Sequence, residues 1–282
     1  MIERSIVRIA RRLRFRGKYR LLNLIAPRTG MRSVAIFGAT FDLDLSDWIQ
    51  RAIYLGTYEP EETLLVAQFL KPGMTVLDVG ANVGYYTALA ASHVGPTGSI
   101  FAIEPSPREF DHLQHLIAAN SLPVRAFNLG LDAVNGTQSL YETPNSSNHT
   151  PTMVEHAELS PIATIPVRRL DDLIEEWGVQ RIDLLKIDVE GWEPRVFAGA
   201  RRALSSGQIG AILCEFNDFW LRAVGSSTRA LWQVLADFGY KPNERMDVER
   251  LLASKLVNCL LIRTPPANHD TLVSNSGHSD RI

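Results

Sequence analysis

Short apolar runs alternate with stretches of helical periodicity from about residue 34 to residue 263, with glycine and proline marking the joints. Residues 75–79 are apolar, rich in β-branched side chains and too short for a helix, which predicts a buried strand. Gly80 and Gly84 bracket the turn that follows. Tyr86, Leu89, Ala90 and Val94 then recur at helical spacing, so a helix is expected over residues 85–94. A second strand is predicted over 99–103, followed directly by Glu104. Ser106 and Pro107 are suited to cap and start a helix that runs to Asn120. The same reading places strands at 124–129, 165–168, 183–189, 209–216, 241–246 and 256–263, and helices at 170–177, 193–204 and 228–238. Upstream, residues 34–45 read as a small hairpin. Ser46 is the expected cap of a helix to about Leu55, Gly56 breaks it, and Pro60 opens a second helix to about Leu70. Asn135-Gly136 predicts a tight turn that returns residues 138–141 as an added strand. Alternating strands and helices of this kind predict a doubly wound, Rossmann-like α/β fold.

The glycine turn narrows the ligand. A dinucleotide fingerprint needs glycine at three points, the second for the pyrophosphate and the third for close helix–strand packing. Here those points hold Gly80, Asn82 and Tyr85, which disfavours NAD. The spacing Asp78, Gly80, Gly84 suits a ligand without phosphates whose amino-acid end lies along the backbone. S-adenosyl-L-methionine is such a ligand, with Asp78 facing its α-amino group directly or through water. Glu104, at the tip of the second strand, stands where one carboxylate holds a ribose diol. Asp132, beyond the third strand, is the expected reader of the adenine amino group.

Residues 182–193 form the second informative stretch. Period two puts Lys186, Asp188 and Glu190 on one side of a central strand. A lysine there is costly unless paired, and Asp188 is its nearest partner. Ligands in such sheets bind beyond the carboxyl ends of the strands, so Asp188 and Glu190 are the candidate bases, with Lys186 tuning Asp188. Tyr58 and Glu59, at the break between the two early helices, are candidates for the substrate side, as is Glu215 near the end of a late strand. Residues 143–163 are long for a connection in a compact domain and carry His149 and His156. They are expected to form an active-site lid, with His149 a candidate substrate contact. No metal is assigned. An Mg²⁺ variant would draw on Asp188 or Glu190 together with Glu215 and Asn217.

With 45% apolar and 21% charged residues and a net charge of −2, the composition favours a soluble globular chain and gives no case for nucleic acid. Cys214 and Cys259 lie inside apolar runs and read as buried strand thiols, compatible with a reducing compartment. With no bilayer-length apolar run, the expectation is cytoplasmic. The charge is uneven, however. Residues 1–26 are rich in arginine, with Glu3 the one acid, and read as a basic amphipathic helix. Such a helix either packs on the domain or makes a peripheral contact with an anionic membrane. The expected organisation is a basic segment over 1–32, a catalytic domain over 33–264 and a disordered tail over 265–282.

The run Asp78-Val79-Gly80-Ala81-Asn82-Val83-Gly84, the pair Glu104-Pro105 and the run from Leu185 to Glu193 together resemble the FkbM-type methyltransferase family. Asp44-Leu45 and Tyr58-Glu59-Pro60 add to the resemblance, which covers about residues 40–264. It implies a class I methyltransferase fold that depends on S-adenosyl-L-methionine, with a seven-stranded sheet whose last strand is antiparallel. It also implies cofactor contacts at Asp78, Gly80, Asn82, Gly84 and Glu104. Family members mostly methylate hydroxyl oxygens, often on sugars or secondary metabolites. The expected function is therefore O-methylation of a small-molecule or glycan acceptor. The alternative is a non-catalytic cofactor-binding subunit acting with a partner or carrier.

Overall fold

A computed structural model describes residue 22 and residues 26–142 and 150–264. The basic segment over residues 1–21 and 23–25, His149 and the tail over 265–282 lie outside the described residues.

The fold is built on a seven-stranded sheet. Its strands are β3 (Thr75–Val79), β4 (Ser99–Ile103), β5 (Val124–Phe127), β9 (Ile182–Ile187), β10 (Ile209–Asn217), β11 (Tyr240–Pro242) and β12 (Leu256–Arg263). They lie in the order β11-β12-β10-β9-β3-β4-β5. From β10 through β9, β3 and β4 to β5 every pairing is parallel, and β12 runs antiparallel between β10 and β11. The strand order reverses between β3 and β9, and there the carboxyl ends open the crevice in which doubly wound sheets bind ligands.

Side-chain parity assigns the two faces. Val76, Leu184, Ala211, Leu213 and Leu260 face helices α2 (Pro60–Phe69) and α3 (Tyr85–Val94). Leu77, Val79, Leu185, Ile187, Ile212 and Phe216 face α5 (Leu170–Trp177), α6 (Glu193–Ala198), α7 (Arg201–Ser206) and α9 (Thr228–Asp237). Both faces are covered, as a parallel sheet requires. Cys214 and Cys259 are register partners, both buried and both free.

The expected hairpin is β1 (Met31–Ile36) with β2 (Ala39–Asp44), paired antiparallel. Asp47 rather than Ser46 caps the following helix α1 (Trp48–Leu55), because its carboxylate reaches the Gln50 N–H at 2.8 Å. Leu22 and Ala26 are buried in this layer, and Arg51 donates to the carbonyls of Ala26 and Pro27. Pro60 does open α2, and α4 (Pro107–Asn120) begins at Pro107.

Three local expectations change. The strand after Asn135-Gly136 does not return along its predecessor. Instead β7 (Gly136–Glu142) pairs antiparallel with β8 (Ser160–Arg168), which inserts between it and β6 (Gly130–Leu131) in a separate three-stranded sheet. The helix expected over 193–204 is divided at Gly199, where a β-carbon would lie 2.1 Å from the Asp132 carbonyl oxygen. Finally, α8 (Asp218–Ala223) and α10 (Val248–Ala253) fill stretches with too few periodic positions to read as helices.

Candidate functional site

A cavity of about 460 Å³ opens at the carboxyl ends of the central strands, within the usual range of roughly 300–1,000 Å³ for small-ligand pockets. Its wall includes Tyr58, Glu59, Gly80, Asn82, Glu104, Asp188, Glu190 and Glu215. The chain order of these residues spans more than half the sequence, and the sheet brings them together.

The donor side is a turn held rigid by its backbone. Gly80 and Ala81 N–H both donate to the Ile103 carbonyl, at 2.9 and 3.0 Å. Gly80 has φ +75, and a β-carbon on it would stand 1.9 Å from the Asp188 carbonyl oxygen. Glycine is required there by the approach of β9's end to the turn, as well as by φ. Asn82 takes φ +50, a conformation asparagine tolerates, and its N–H donates to Glu104 Oε2 at 2.7 Å. Ser106 N–H donates to Oε1 at 2.8 Å. Glu104 is thus fixed by one bond to each oxygen, with lone pairs left over for a diol. Its burial outweighs these bonds and pushes its carboxyl up to about 8.

Two predicted donor residues lie behind the cavity wall. Asp78 shares the α3 face of the sheet with Lys186, its register partner on β9. Its Oδ2 accepts from Thr87 Oγ1 at 2.6 Å, Oδ1 is buried without a partner, and desolvation raises its carboxyl despite Lys186. Gly84 is the residue before α3, with φ +86, and a β-carbon there would meet Leu116 at 2.6 Å and Leu113 at 2.8 Å. It serves helix packing. Asp132 is a correction. It is fully buried outside the cavity, ion-paired with Arg195 at 2.8 Å and bonded by Gln138 at 3.0 Å, while Gly130 and Leu131 line the wall in its place.

On the opposite side, Lys186 Nζ lies 3.3 Å from Asp188 Oδ2, 3.4 Å from the Gly80 carbonyl and 5.3 Å from the Tyr86 ring centroid. Burial works against its charge, and Asp188, Asp78 and Glu59 together reverse that and raise its pKa above the usual lysine value. β9 stops at Ile187, so Glu190 does not continue the strand parity. It sits in a turn at φ +51, its carbonyl accepting from Thr152 Oγ1 at 2.9 Å. Glu59 is likewise left-handed, at φ +37, and accepts from Tyr86 OH at 2.5 Å. Glu59 and Glu190 are thus two strained non-glycine residues on one cavity wall with the left-handed Asn82, and such strain concentrates at functional sites. Desolvation first, and then repulsion from Asp188, raises the carboxyls of Glu59, Glu190 and Glu215.

Of the expected lid, residues 150–153 line the cavity, and Thr152 bridges to Tyr141. His156 lies off the wall with its ring 5.7 Å from those of Phe219 and Trp220. Sequence reading missed Trp48, Thr152, Leu256 and Asn258 on the wall. The last two lie at the start of β12 with Val257 between them, and their place on the wall follows from the pairing of β12 with β10. Among the described residues, no three His, Cys, Asp or Glu side chains converge as metal ligands, and no helix is long and apolar enough to cross a membrane.

The methyltransferase FkbM domain matches this chain over residues 78–242. The chain belongs to the FkbM methyltransferase family. The hexuronic acid methyltransferase AglP of Haloferax volcanii is 30% identical to it over 46% of this chain and 51% of that protein. The 31-O-demethyl-FK506 methyltransferase FkbM of Streptomyces tacrolimicus is 31% identical over 48% of this chain and 62% of that protein. The 2-O-methyltransferase NoeI of Sinorhizobium fredii is 26% identical over 62% of this chain and 76% of that protein. The chain thus spans about half to three-fifths of the first two relatives and three quarters of the third. FkbM methyltransferases depend on S-adenosyl-L-methionine, and the residues present fit that group. A buried carboxylate at the end of β4 suits a ribose diol, and an acidic wall suits a sulfonium.

Proposed function

We propose that this FkbM domain transfers a methyl group to a hydroxyl oxygen of a sugar or secondary metabolite. The observation that carries the reading is the Asp188 carboxylate, on the cavity wall beside the Gly80 turn and ion-paired with Lys186. The names of the relatives support an oxygen acceptor: one acts on 31-O-demethyl-FK506 and another is a 2-O-methyltransferase.

S-adenosyl-L-methionine supplies a methyl already activated by its sulfonium. The Glu104 carboxylate and the Gly80–Asn82 backbone hold and orient the donor. With the donor bound, Asp188 would accept the proton of the acceptor hydroxyl as that oxygen takes the activated methyl. Lys186 is a positioning residue that holds Asp188 on the wall and offsets its charge. Residues 33–264 are the proposed catalytic unit.

The test separates binding from chemistry. Asp188→Asn should lower kcat by about 10²–10⁴-fold, the usual worth of a general base, with the calorimetric Kd for S-adenosyl-L-methionine within a few-fold of wild type. Glu104→Ala should weaken binding of S-adenosyl-L-methionine and S-adenosylhomocysteine by about ten- to a hundredfold, the scale of a charge-assisted hydrogen-bonded group. Unchanged turnover in Asp188→Asn would remove the base from this mechanism.

A further inference from the structure

The cavity wall carries Glu59, Glu62, Glu104, Asp188, Glu190 and Glu215 and, among the described residues, no lysine, arginine or histidine. Lys186, which lies behind the wall, is accounted for by Asp188 and its register partner Asp78. Glu104 is tied to the donor turn, and Glu59 to Tyr86. Among the described residues that leaves Glu62, Glu190 and Glu215 with no cationic partner within ion-pair distance, and of these Glu215 alone has a buried oxygen, Oε2, with no hydrogen-bond partner.

Strand parity explains what surrounds Glu215. It shares a face with Asn217, two residues along β10, and stands opposite Asn258 in the antiparallel register with β12, while Leu256 stands opposite Asn217. All four line the cavity. Side chains opposite one another in such a pair are about 4.5–5.5 Å apart at Cβ, so one small polar group can reach both. The result is an acceptor, Glu215, flanked by two amides suited to hydroxyls, on the side away from the Glu104 end of the donor turn.

Resting on the O-methylation reading, we infer that the acceptor carries a protonated amine near the hydroxyl that is methylated, as in an amino sugar or aminocyclitol, and that Glu215, with Glu190, binds that ammonium. A carboxylate with a buried, unpartnered oxygen is costly, and an ammonium from the substrate is the group that relieves it. The same wall repels carboxylate- or phosphate-bearing acceptors, so this chain would not share the hexuronic acid of its Haloferax relative. An ammonium held by Glu215 has no lone pair to attack with, which directs the methyl to oxygen.

The test uses three matched probes with the full chain and S-adenosyl-L-methionine: methyl glucosaminide, its N-acetyl derivative and methyl glucuronide. The measurements are kcat/KM and the site of methylation by mass spectrometry and NMR. A preference of about tenfold or more for the amine over the N-acetyl probe is expected, the scale of one charge-assisted hydrogen bond, with no transfer to the glucuronide and the methyl on oxygen. Glu215→Gln should reduce that preference several-fold while melting no lower than wild type. Equal or better transfer to the N-acetyl probe or the glucuronide, or methylation on nitrogen, overturns this inference and leaves a methyltransferase standing. No transfer to any of the three, with the donor bound, overturns the O-methylation reading and this inference with it.

Discussion

A β-carbon on Gly80 would stand 1.9 Å from the Asp188 carbonyl oxygen, so this residue couples the donor turn to the strand that carries the proposed base. Gly80→Ala must both adopt φ +75 and push β9's end away. It should lower the unfolding free energy by more than about 2 kcal/mol, the left-handed backbone alone costing roughly 1–2. Urea titration measures this, and a midpoint equal to wild type would show that the two segments can separate freely. Lys186 is governed by the same closeness. Among the described residues it is the one cation beside Asp78, Asp188 and Glu59, and Lys186→Met should cost on the order of 3–5 kcal/mol by leaving buried carboxylates uncompensated.

At the level of elements, the division between α6 and α7 comes from Gly199. Its φ of −83 is available to any residue, so the constraint is steric: the Asp132 carbonyl lies 2.1 Å from where a β-carbon would be, and Asp171 N–H donates to the Gly199 carbonyl at 3.0 Å. Gly199→Ala should destabilise by about 1–3 kcal/mol, the cost of overpacking, and displace the β6 end that lines the cavity. A thermal melt together with donor titration reads both effects. Loss of stability with unchanged donor affinity would mean that the β6 end does not bear on the donor site. β3, α3, β4, α5 and β12 coincide with their sequence-based bounds, because each is a run of apolar residues with one dominant period. β8 did not, because residues 160–164 are half polar and gain strand geometry only from pairing with β7.

Across the whole molecule, the surplus of buried carboxylates makes stability depend on pH. Glu104 is raised in the folded state to about 8 from the ordinary 4.5, and Glu59, Glu190 and Glu215 are raised in the same direction. Between the unfolded and folded values the native state binds the extra protons, so stability falls as pH rises through that window. The ligand-free chain should therefore melt at a higher temperature at pH 6 than at pH 8.5. A cationic ligand favours the ionised carboxylates, so stabilisation by S-adenosyl-L-methionine should exceed that by the uncharged-sulfur S-adenosylhomocysteine, and more so at pH 8.5. Differential scanning fluorimetry across pH 5.5–9 checks both, and a flat profile would mean that the wall is better solvated than its burial implies.

The periodicity of short apolar runs determined the sheet, most of its helices and the strand ends at which a ligand would sit, because burial of alternate or fourth residues is written locally. Glu104 and Asp188 were legible for the same reason: each follows a strand end directly. Tertiary packing alone decided which carboxylates face the cavity. Asp132 has the composition and strand-end position of a ligand residue, yet Arg195, 63 positions later, takes its carboxylate out of reach. Asp78 and Gly84 sit in the motif but behind the wall, because strand parity and α4 turn them toward packing. Leu256 and Asn258 reach the wall only because β12 inserts antiparallel beside β10. Such pairings depend on which distant strands lie side by side, and no window of sequence contains both partners.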